Sequence, residues 1–341
     1  MTQRNTPLSP SPLPLVRLAD VRRRVVSGAQ LRTQGVAPAR VAEQCRPGGA
    51  WQLLLPGVYL LHSGPPTSEE RLHAALLYAG RPVLPAPRQE SAPYGEAMIT
   101  GLAALALHGF SAAPPLMALE LIDVLVPRTR RLRSAGCARL VRGHALPRAQ
   151  EITGVPVAPA PRAVADAVAQ LDDPQLIGRL LTEAVRGDHC EPAALVRELN
   201  DARLLDRPHV VSAVDDLLAE GRALAEGRLY DLVRDGGLPD PLWNVDLRMP
   251  GGPHLGGVDA YWPEQAVAVE LDTRAPRQDE DAEWTQYARK REHLERLGIT
   301  VVHLTPRKLR EAPEQQATVV RTALMAAADR EPAAYVVVLP R

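Results

Sequence analysis

The alternation of apolar and polar positions is clearest over residues 256–272, where it predicts two strands joined by a tight turn. Pro263 presets the backbone for the first central position of that turn. Folding the hairpin about the turn brings Asp259 opposite Glu270, and side chains at opposite positions lie ~5 Å apart on one face of a sheet. With Asp272 on the same face, the pattern predicts a cluster of three carboxylates.

Three carboxylates this close repel one another unless a cation lies between them. Carboxylate oxygens suit Mg²⁺, which leaves coordination positions open for a substrate phosphate. A solvated acidic edge of the hairpin is the alternative interpretation of the same residues.

Apolar periodicity around the hairpin predicts an α/β domain over residues 209–330. The order is helix, three strands, helix and strand. The elements outside the hairpin are expected at 210–220, 227–234, 242–249, 282–297, 300–304 and 318–328.

The beginning of the chain predicts a winged helix over residues 18–65, because a helix and a helix-turn-helix precede a hairpin. Its helices are expected at 18–26, 29–34 and 38–45, and its strands lie on either side of Pro56 and Gly57. Residues 1–17 are predicted to be a disordered tail. The whole chain is therefore expected to be a multi-domain α+β protein with a mixed middle domain over 66–206.

Within the middle domain, two features predict individual helices. Thr67 and Glu70 have the spacing of a capping box, which predicts a helix at 69–78. An apolar, alanine-rich run predicts a second helix at 98–110, and residues 151–205 are predicted to be helical.

The formal net charge is zero, so any surface for DNA must come from local segregation of charge. Residues 1–65 hold eight arginines and two acidic residues. The second helix of a helix-turn-helix enters the major groove, and here it carries Arg40, with Arg46 after it and Arg32 on the helix before it. These residues predict a DNA-binding surface. A small helical packing module with a solvated basic face is the alternative.

A second basic stretch, residues 128–148, holds seven arginines and no acidic residue. It includes Arg130 and Arg131, which are candidates for contacting DNA phosphates from a hairpin. A solvated turn explains the same composition equally well, because 38 of the 40 basic residues of the chain are arginine.

The cysteines indicate a reducing compartment. Cys45, Cys137 and Cys190 are scattered, with no CxxC pair, which argues against a zinc site. No run of 18 apolar residues and no signal peptide is found, so we expect a cytoplasmic protein without a membrane partner.

The C-terminal part resembles the PD-(D/E)xK, or restriction-endonuclease-like, superfamily and within it a Vsr-like endonuclease-related domain of unknown function. The resemblance covers about residues 210–328. The residues that carry it are Glu226, Gly237, Leu238, Pro239, Asn244, Asp259, Trp262, Pro263, Val269, Glu270, Leu271, Asp272, Trp284, Leu294, Gly298 and the run 301–309.

This resemblance implies an endonuclease that hydrolyses DNA phosphodiesters with Mg²⁺ or Mn²⁺. Asp259 and Glu270 would be the metal ligands, Asp272 a third ligand or the general base, and Glu226 would reach in from the preceding helix. Lys290, on the helix after the hairpin, would supply the positive charge. A solvated helix residue is the alternative for Lys290.

Two positions depart from the pattern of the superfamily. Position 272 carries Asp in place of the superfamily lysine, as is usual in the subfamily, and position 277 carries Arg where the subfamily often has His. They leave a second interpretation open, in which the nuclease-like domain is inactive and binds DNA or a partner.

The N-terminal half resembles AbiEi-type antitoxin proteins of bacteria. The residues that carry the resemblance are Pro56 to Tyr59, Ile99 to Gly109 and Gly154 to Asp166. It implies DNA binding, autoregulation of transcription and a cognate toxin as partner.

Overall fold

A computed structural model describes residues 21–80, 94–273, 280–328 and 336–341, and for 280–287 it describes the backbone alone. The predicted tail at 1–17 and Arg277 lie outside the described residues. The chain divides into two compact units: unit 1 is Met1–Ala184 with Ala202–Leu204, and unit 2 is Val185–Asp201 with Leu205–Arg341. No helix among the described residues has both the length and the apolar character needed to cross a bilayer.

Unit 1 begins with a small antiparallel sheet and two short helices. Its elements are β1 (Val25–Ser27), α1 (Gly28–Thr33), α2 (Pro38–Gln44), β2 (Gln52–Leu55) and β3 (Val58–Leu60). The strand order is β1-β3-β2, so β3 lies in the centre. Ser27 and Gln30 form a capping box at the start of α1, and buried Val26, Leu31 and Val41 form the core.

The predicted helix at 18–26 is wrong at its end, where Val25 and Val26 form β1. Val25 pairs with Leu60 and Val26 with Tyr59 on β3. Both valines are buried, and β-branched side chains are well suited to a strand that packs one face on a core.

The remainder of unit 1 is a mixed sheet with helices around it. Its elements are α3 (Ser68–Ala79), β4 (Met98–Thr100), α4 (Gly101–His108), a 3₁₀ turn (Leu116–Ala118), β5 (Ile122–Pro127), β6 (Ala138–Gly143), β7 (Gln150–Ile152), β8 (Val155–Val157), α5 (Ala160–Val168) and α6 (Pro174–Arg186). The strand order is β6-β5-β4-β8-β7, with β5–β6 and β4–β8 parallel.

The capping box at Thr67 and Glu70 is confirmed at the start of α3. The predicted helix at 98–110 is wrong over residues 98–100, which pair with β5 instead. Gly101 has φ +60°, a conformation that separates this strand from α4.

Unit 2 contains the predicted order of helix, three strands, helix and strand. Its elements are α7 (Pro192–Asp201), α8 (Pro208–Asp235), β9 (Leu242–Arg248), β10 (His254–Trp262), β11 (Val267–Leu271), α9 (Glu280–Arg296), β12 (Thr300–Leu304), α10 (Pro306–Glu311), α11 (Pro313–Ala328) and β13 (Val337–Pro340). The sheet order is β12-β11-β10-β9-β13, with β11 and β12 parallel and the other neighbours antiparallel.

Two helices were expected at 210–220 and 227–234, but α8 is one helix of 28 residues. Buried Leu217, Ala225 and Leu229 lie along it, and their packing holds the helix together across its glycines. At Gly221 an added Cβ would lie 2.4 Å from Pro192 Cγ, so the glycine allows α7 to approach α8 closely.

The sheet of unit 2 is covered on both faces, and β11 alternates as predicted. Val267, Val269 and Leu271 belong to an apolar cluster with residues of α8 and α11. Ala268 belongs to a second cluster that contains Leu294 of α9. The fold is therefore mixed α and β overall, with a helix–sheet–helix arrangement in unit 2.

Candidate functional site

The hairpin of β10 and β11 brings two buried carboxylates to the same level of the sheet. Its ladder ends with Ala260 opposite Val269, and the same register places Asp259 opposite Glu270. Their side chains are 8% and 6% exposed. Beyond the ladder, the amide of Leu271 donates a hydrogen bond of 2.6 Å to Asp259 Oδ2. The Asp259 carboxylate is thereby fixed against the backbone of β11.

Arg222 connects Asp259 to Glu226. Arg222 Nη2 lies 2.7 Å from Asp259 Oδ1, and Arg222 Nε lies 2.8 Å from Glu226 Oε1. Arg222 and Glu226 are one turn apart on α8, a spacing at which side chains meet. Glu226 was expected from the sequence, but Arg222 was not. Its position four residues before Glu226 could have indicated that the two side chains meet on one face of the helix.

Lys290 lies against Glu270. Its Nζ is 2.5 Å from Glu270 Oε1 and donates a hydrogen bond of 2.6 Å to the carbonyl oxygen of Gly257. The stem of the lysine passes Gly256, where an added Cβ would lie 2.4 Å from Lys290 Cε. Gly256 has φ +120°, a conformation that side chains rarely adopt, so this position suits glycine for two reasons.

His303 and Asp272 lie beside Glu270 in the sheet. His303 is the β12 residue paired with Glu270 in the parallel ladder, and its Nδ1 lies 3.8 Å from Glu270 Oε2. His303 was not among the residues expected at the site from the sequence. Asp272 follows the last residue of β11, is half-buried, and its amide donates to the carbonyl of Leu304 at 2.9 Å.

Two side chains of the site carry oxygen donors of the kind that a hard metal ion prefers. Asp259 and Glu270 supply carboxylate oxygens, and Glu270 Oε1 is buried without a hydrogen bond of ordinary geometry. Arg222 and Lys290 balance these charges in the structure. Among the described residues, no three or more His, Cys, Asp or Glu side chains are grouped so that they could hold a metal ion.

The arginines predicted to contact DNA differ in their surroundings. Arg32 in the last turn of α1, Arg40 on α2 and Arg46 after α2 are exposed, and so is Arg131. Arg130 is half-buried and donates to the carbonyls of Ala79 and Gly80 at 3.0 and 3.1 Å. Its described contacts therefore satisfy carbonyl groups at the C-terminal end of α3.

No protein-family model and no curated protein sequence matches the chain. Function is therefore inferred from the residues of the site and the elements that hold them. The features that bear most on function are the two buried carboxylates, Asp259 and Glu270, and the cations that contact them, Arg222 and Lys290. Gly256 leaves the space that the Lys290 side chain occupies.

Proposed function

We propose that the protein is a metal-dependent endodeoxyribonuclease, with a restriction-endonuclease-like unit 2 and a winged helix in residues 18–65 that binds DNA. The observation that carries the proposal is the placement of buried Asp259 and Glu270 at one level of the β10–β11 hairpin, with Lys290 on Glu270. The order of helix, three strands, helix and strand around this hairpin supports it.

Asp259 and Glu270 would hold Mg²⁺ or Mn²⁺, with Asp272 as a third ligand or the general base. The metal would supply an activated water and polarise the scissile phosphate. Lys290 is the cation within reach of Glu270, where it can neutralise charge that develops on the phosphate. Glu226 would act through Arg222, whose guanidinium contacts both Glu226 and Asp259.

DNA would bind unit 1 through the helix pair α1 and α2. The exposure of Arg32, Arg40 and Arg46 supports this role, because phosphate contacts require side chains that solvent can reach. Arg131 would add a contact from the second basic stretch. Arg130 remains a candidate whose described hydrogen bonds already tie it to the end of α3.

The cleavage test uses purified full-length protein, supercoiled plasmid and single-stranded DNA in Mg²⁺, in Mn²⁺ and in a chelator. The variants are Asp259→Asn, Glu270→Gln and Lys290→Met. Glu264→Gln is the matched control, because Glu264 is an exposed carboxylate in the turn of the same hairpin. We expect metal-dependent nicking by wild type and control, and a loss of at least about 100-fold in the variants. Equal nicking by all proteins would contradict the proposal.

A DNA-binding regulator of the AbiEi antitoxin type, with an inactive nuclease-like unit and a cognate toxin as partner, is the second candidate. The observation in its favour is that Arg222 and Lys290 already balance Asp259 and Glu270. Calorimetry with Mn²⁺ separates the two. A protein that binds DNA but no Mn²⁺ would support the regulator, whereas Mn²⁺ binding that Glu270→Gln abolishes would count against it.

A further inference from the structure

Arg222 contacts two carboxylates, and its contact with Asp259 can be lost while its contact with Glu226 remains. Its Nη2 contacts Asp259 Oδ1 and its Nε contacts Glu226 Oε1, so the two contacts use different atoms of one guanidinium. Glu226 lies on the same helix, four residues away, and the Arg222–Glu226 contact is independent of the sheet. Losing Asp259 would therefore leave Arg222 anchored at its Nε.

Asp259 can likewise lose its contact with Arg222 and still be held in place by the backbone. Its Oδ2 keeps the hydrogen bond from the Leu271 amide, so the carboxylate stays fixed when Oδ1 changes its partner. The two side chains also differ in exposure, at 40% for Arg222 and 8% for Asp259. Solvent can therefore reach the Arg222 side chain, whereas the Asp259 carboxylate is almost fully buried.

We propose that Arg222 is an exchangeable counter-ion that links metal binding to phosphate binding in the site of the proposed nuclease. A divalent cation and Arg222 Nη2 compete for Asp259 Oδ1. When the cation binds there, the guanidinium remains held by Glu226 and its released N–H groups bind a DNA phosphate oxygen. Guanidinium groups suit this role because their fixed fork of donors matches phosphate geometry. No covalent step is involved.

If this exchange occurs, removing Arg222 should change the affinities for metal and for DNA in opposite directions. Removing Arg222 removes the competitor for Asp259, so the affinity for the metal increases. It also removes a phosphate ligand, so DNA binds less tightly in the presence of metal. Because coupling between two ligands is reciprocal, the wild type should bind DNA more tightly with metal than without it, and this dependence should be smaller in the variant, which keeps only the direct contact between metal and phosphate.

The test is calorimetry with Mn²⁺ on the full-length wild type, Arg222→Met and Arg234→Met. Arg234 is the matched control because it lies on the same helix, is 70% exposed and contacts Asp231 and Asp235. We expect Arg222→Met to bind Mn²⁺ about tenfold more tightly than wild type and control. Fluorescence anisotropy with a labelled duplex in Ca²⁺, checked on a gel to be uncut, should show DNA binding about tenfold weaker for Arg222→Met alone.

An unchanged or weaker affinity for Mn²⁺ in folded Arg222→Met, with normal binding by the wild type, would overturn the role of Arg222 but not the nuclease. A wild type that binds no Mn²⁺ would overturn the metal site itself. If Arg222→Met fails to fold, Arg222→Lys replaces it. That variant keeps the charge but lacks the fork that spans both carboxylates, so a wild-type affinity for both Mn²⁺ and DNA would contradict the proposal.

Discussion

Lys290 Nζ lies 2.5 Å from Glu270 Oε1, and the same ammonium group donates to the carbonyl of Gly257. Glu270 is on β11, Gly257 on β10 and Lys290 on α9, so one side chain ties a helix to two neighbouring strands. The positive charge that is missing from position 272, two residues after Glu270, is thus replaced beside this carboxylate by a lysine from the next helix.

The Lys290–Glu270 pair should be strongly coupled. Lys290→Met leaves the Glu270 carboxylate buried without its cation, which we expect to lower the free energy of unfolding by about 2–3 kcal/mol. Adding Glu270→Gln should recover part of that loss, with a coupling energy of about 1–2 kcal/mol in a double-mutant cycle measured by urea unfolding. Lys308→Met is the control, because Lys308 is exposed on α10. Additive effects of the two substitutions would contradict a direct interaction.

Gly256→Ala should be more costly than an ordinary replacement of glycine. The new Cβ would lie 2.4 Å from Lys290 Cε at φ +120°, so we expect a loss of about 2–3 kcal/mol from strain and displacement of the lysine. Gly251→Ala is matched to it, since Gly251 has φ +62° but nothing within 4 Å, and should cost about 1 kcal/mol. Equal midpoints in urea for the two variants would show that displacing the Lys290 side chain does not lower stability.

His73 should make the stability of unit 1 depend on pH. Burial, with the Arg22 guanidinium as a second cause, lowers the pKa of His73 from 6.5 to about 4, and its Nδ1 forms a hydrogen bond with the Tyr94 hydroxyl. The unfolded chain therefore binds more protons between pH 6.5 and 4. This contribution to stability is fully present above pH 6.5 and is lost as the pH falls toward 4.

Between pH 7 and pH 5, the lowered pKa of His73 corresponds to a loss of about 2 kcal/mol in the free energy of unfolding. Urea unfolding at a series of pH values measures it. His73→Gln can keep a hydrogen bond to Tyr94 but does not titrate, so its stability should fall less over the same range. Parallel pH profiles for the two proteins would exclude His73 as the source.

Thr67→Ala should remove the cap of α3. The Thr67 hydroxyl accepts from the Glu70 amide at 3.2 Å, and Glu70 Oε2 accepts from the Thr67 amide at 2.9 Å. Loss of the hydroxyl should cost about 1 kcal/mol in thermal or urea unfolding. Thr67→Ser retains the oxygen and should stay close to the wild type. A serine variant as unstable as the alanine variant would mean that the methyl group, not the cap, matters.

Elements with a strong local signal could be predicted from the sequence. The alternation in β11 and the capping box of α3 depend on neighbouring residues alone, and both were confirmed. Val25 and Val26 were predicted in a helix because their pairing with β3 is a long-range contact that a local pattern does not contain. The single helix α8 has the same explanation, since its packing outweighs the cost of its glycines.

Asp259, Glu270 and Lys290 were expected at the candidate site from the sequence, but Arg222 and His303 were not. Asp259 and Glu270 followed from the hairpin register, whereas the contact of Arg222 with Asp259 depends on how α8 approaches that hairpin. Gly256 gave no sign of its role, because the atom that a side chain would meet belongs to Lys290. Such contacts are fixed by tertiary packing.

Gly256 and Lys290 are linked by a steric conflict that should be visible in homologous sequences. A side chain at position 256 and a lysine stem at position 290 would occupy the same space. We therefore expect the two positions to vary together among homologous chains. Those that keep the lysine should keep the glycine, and those that lose the lysine are released from that steric demand. The pair would thus indicate which homologues retain the cation beside Glu270.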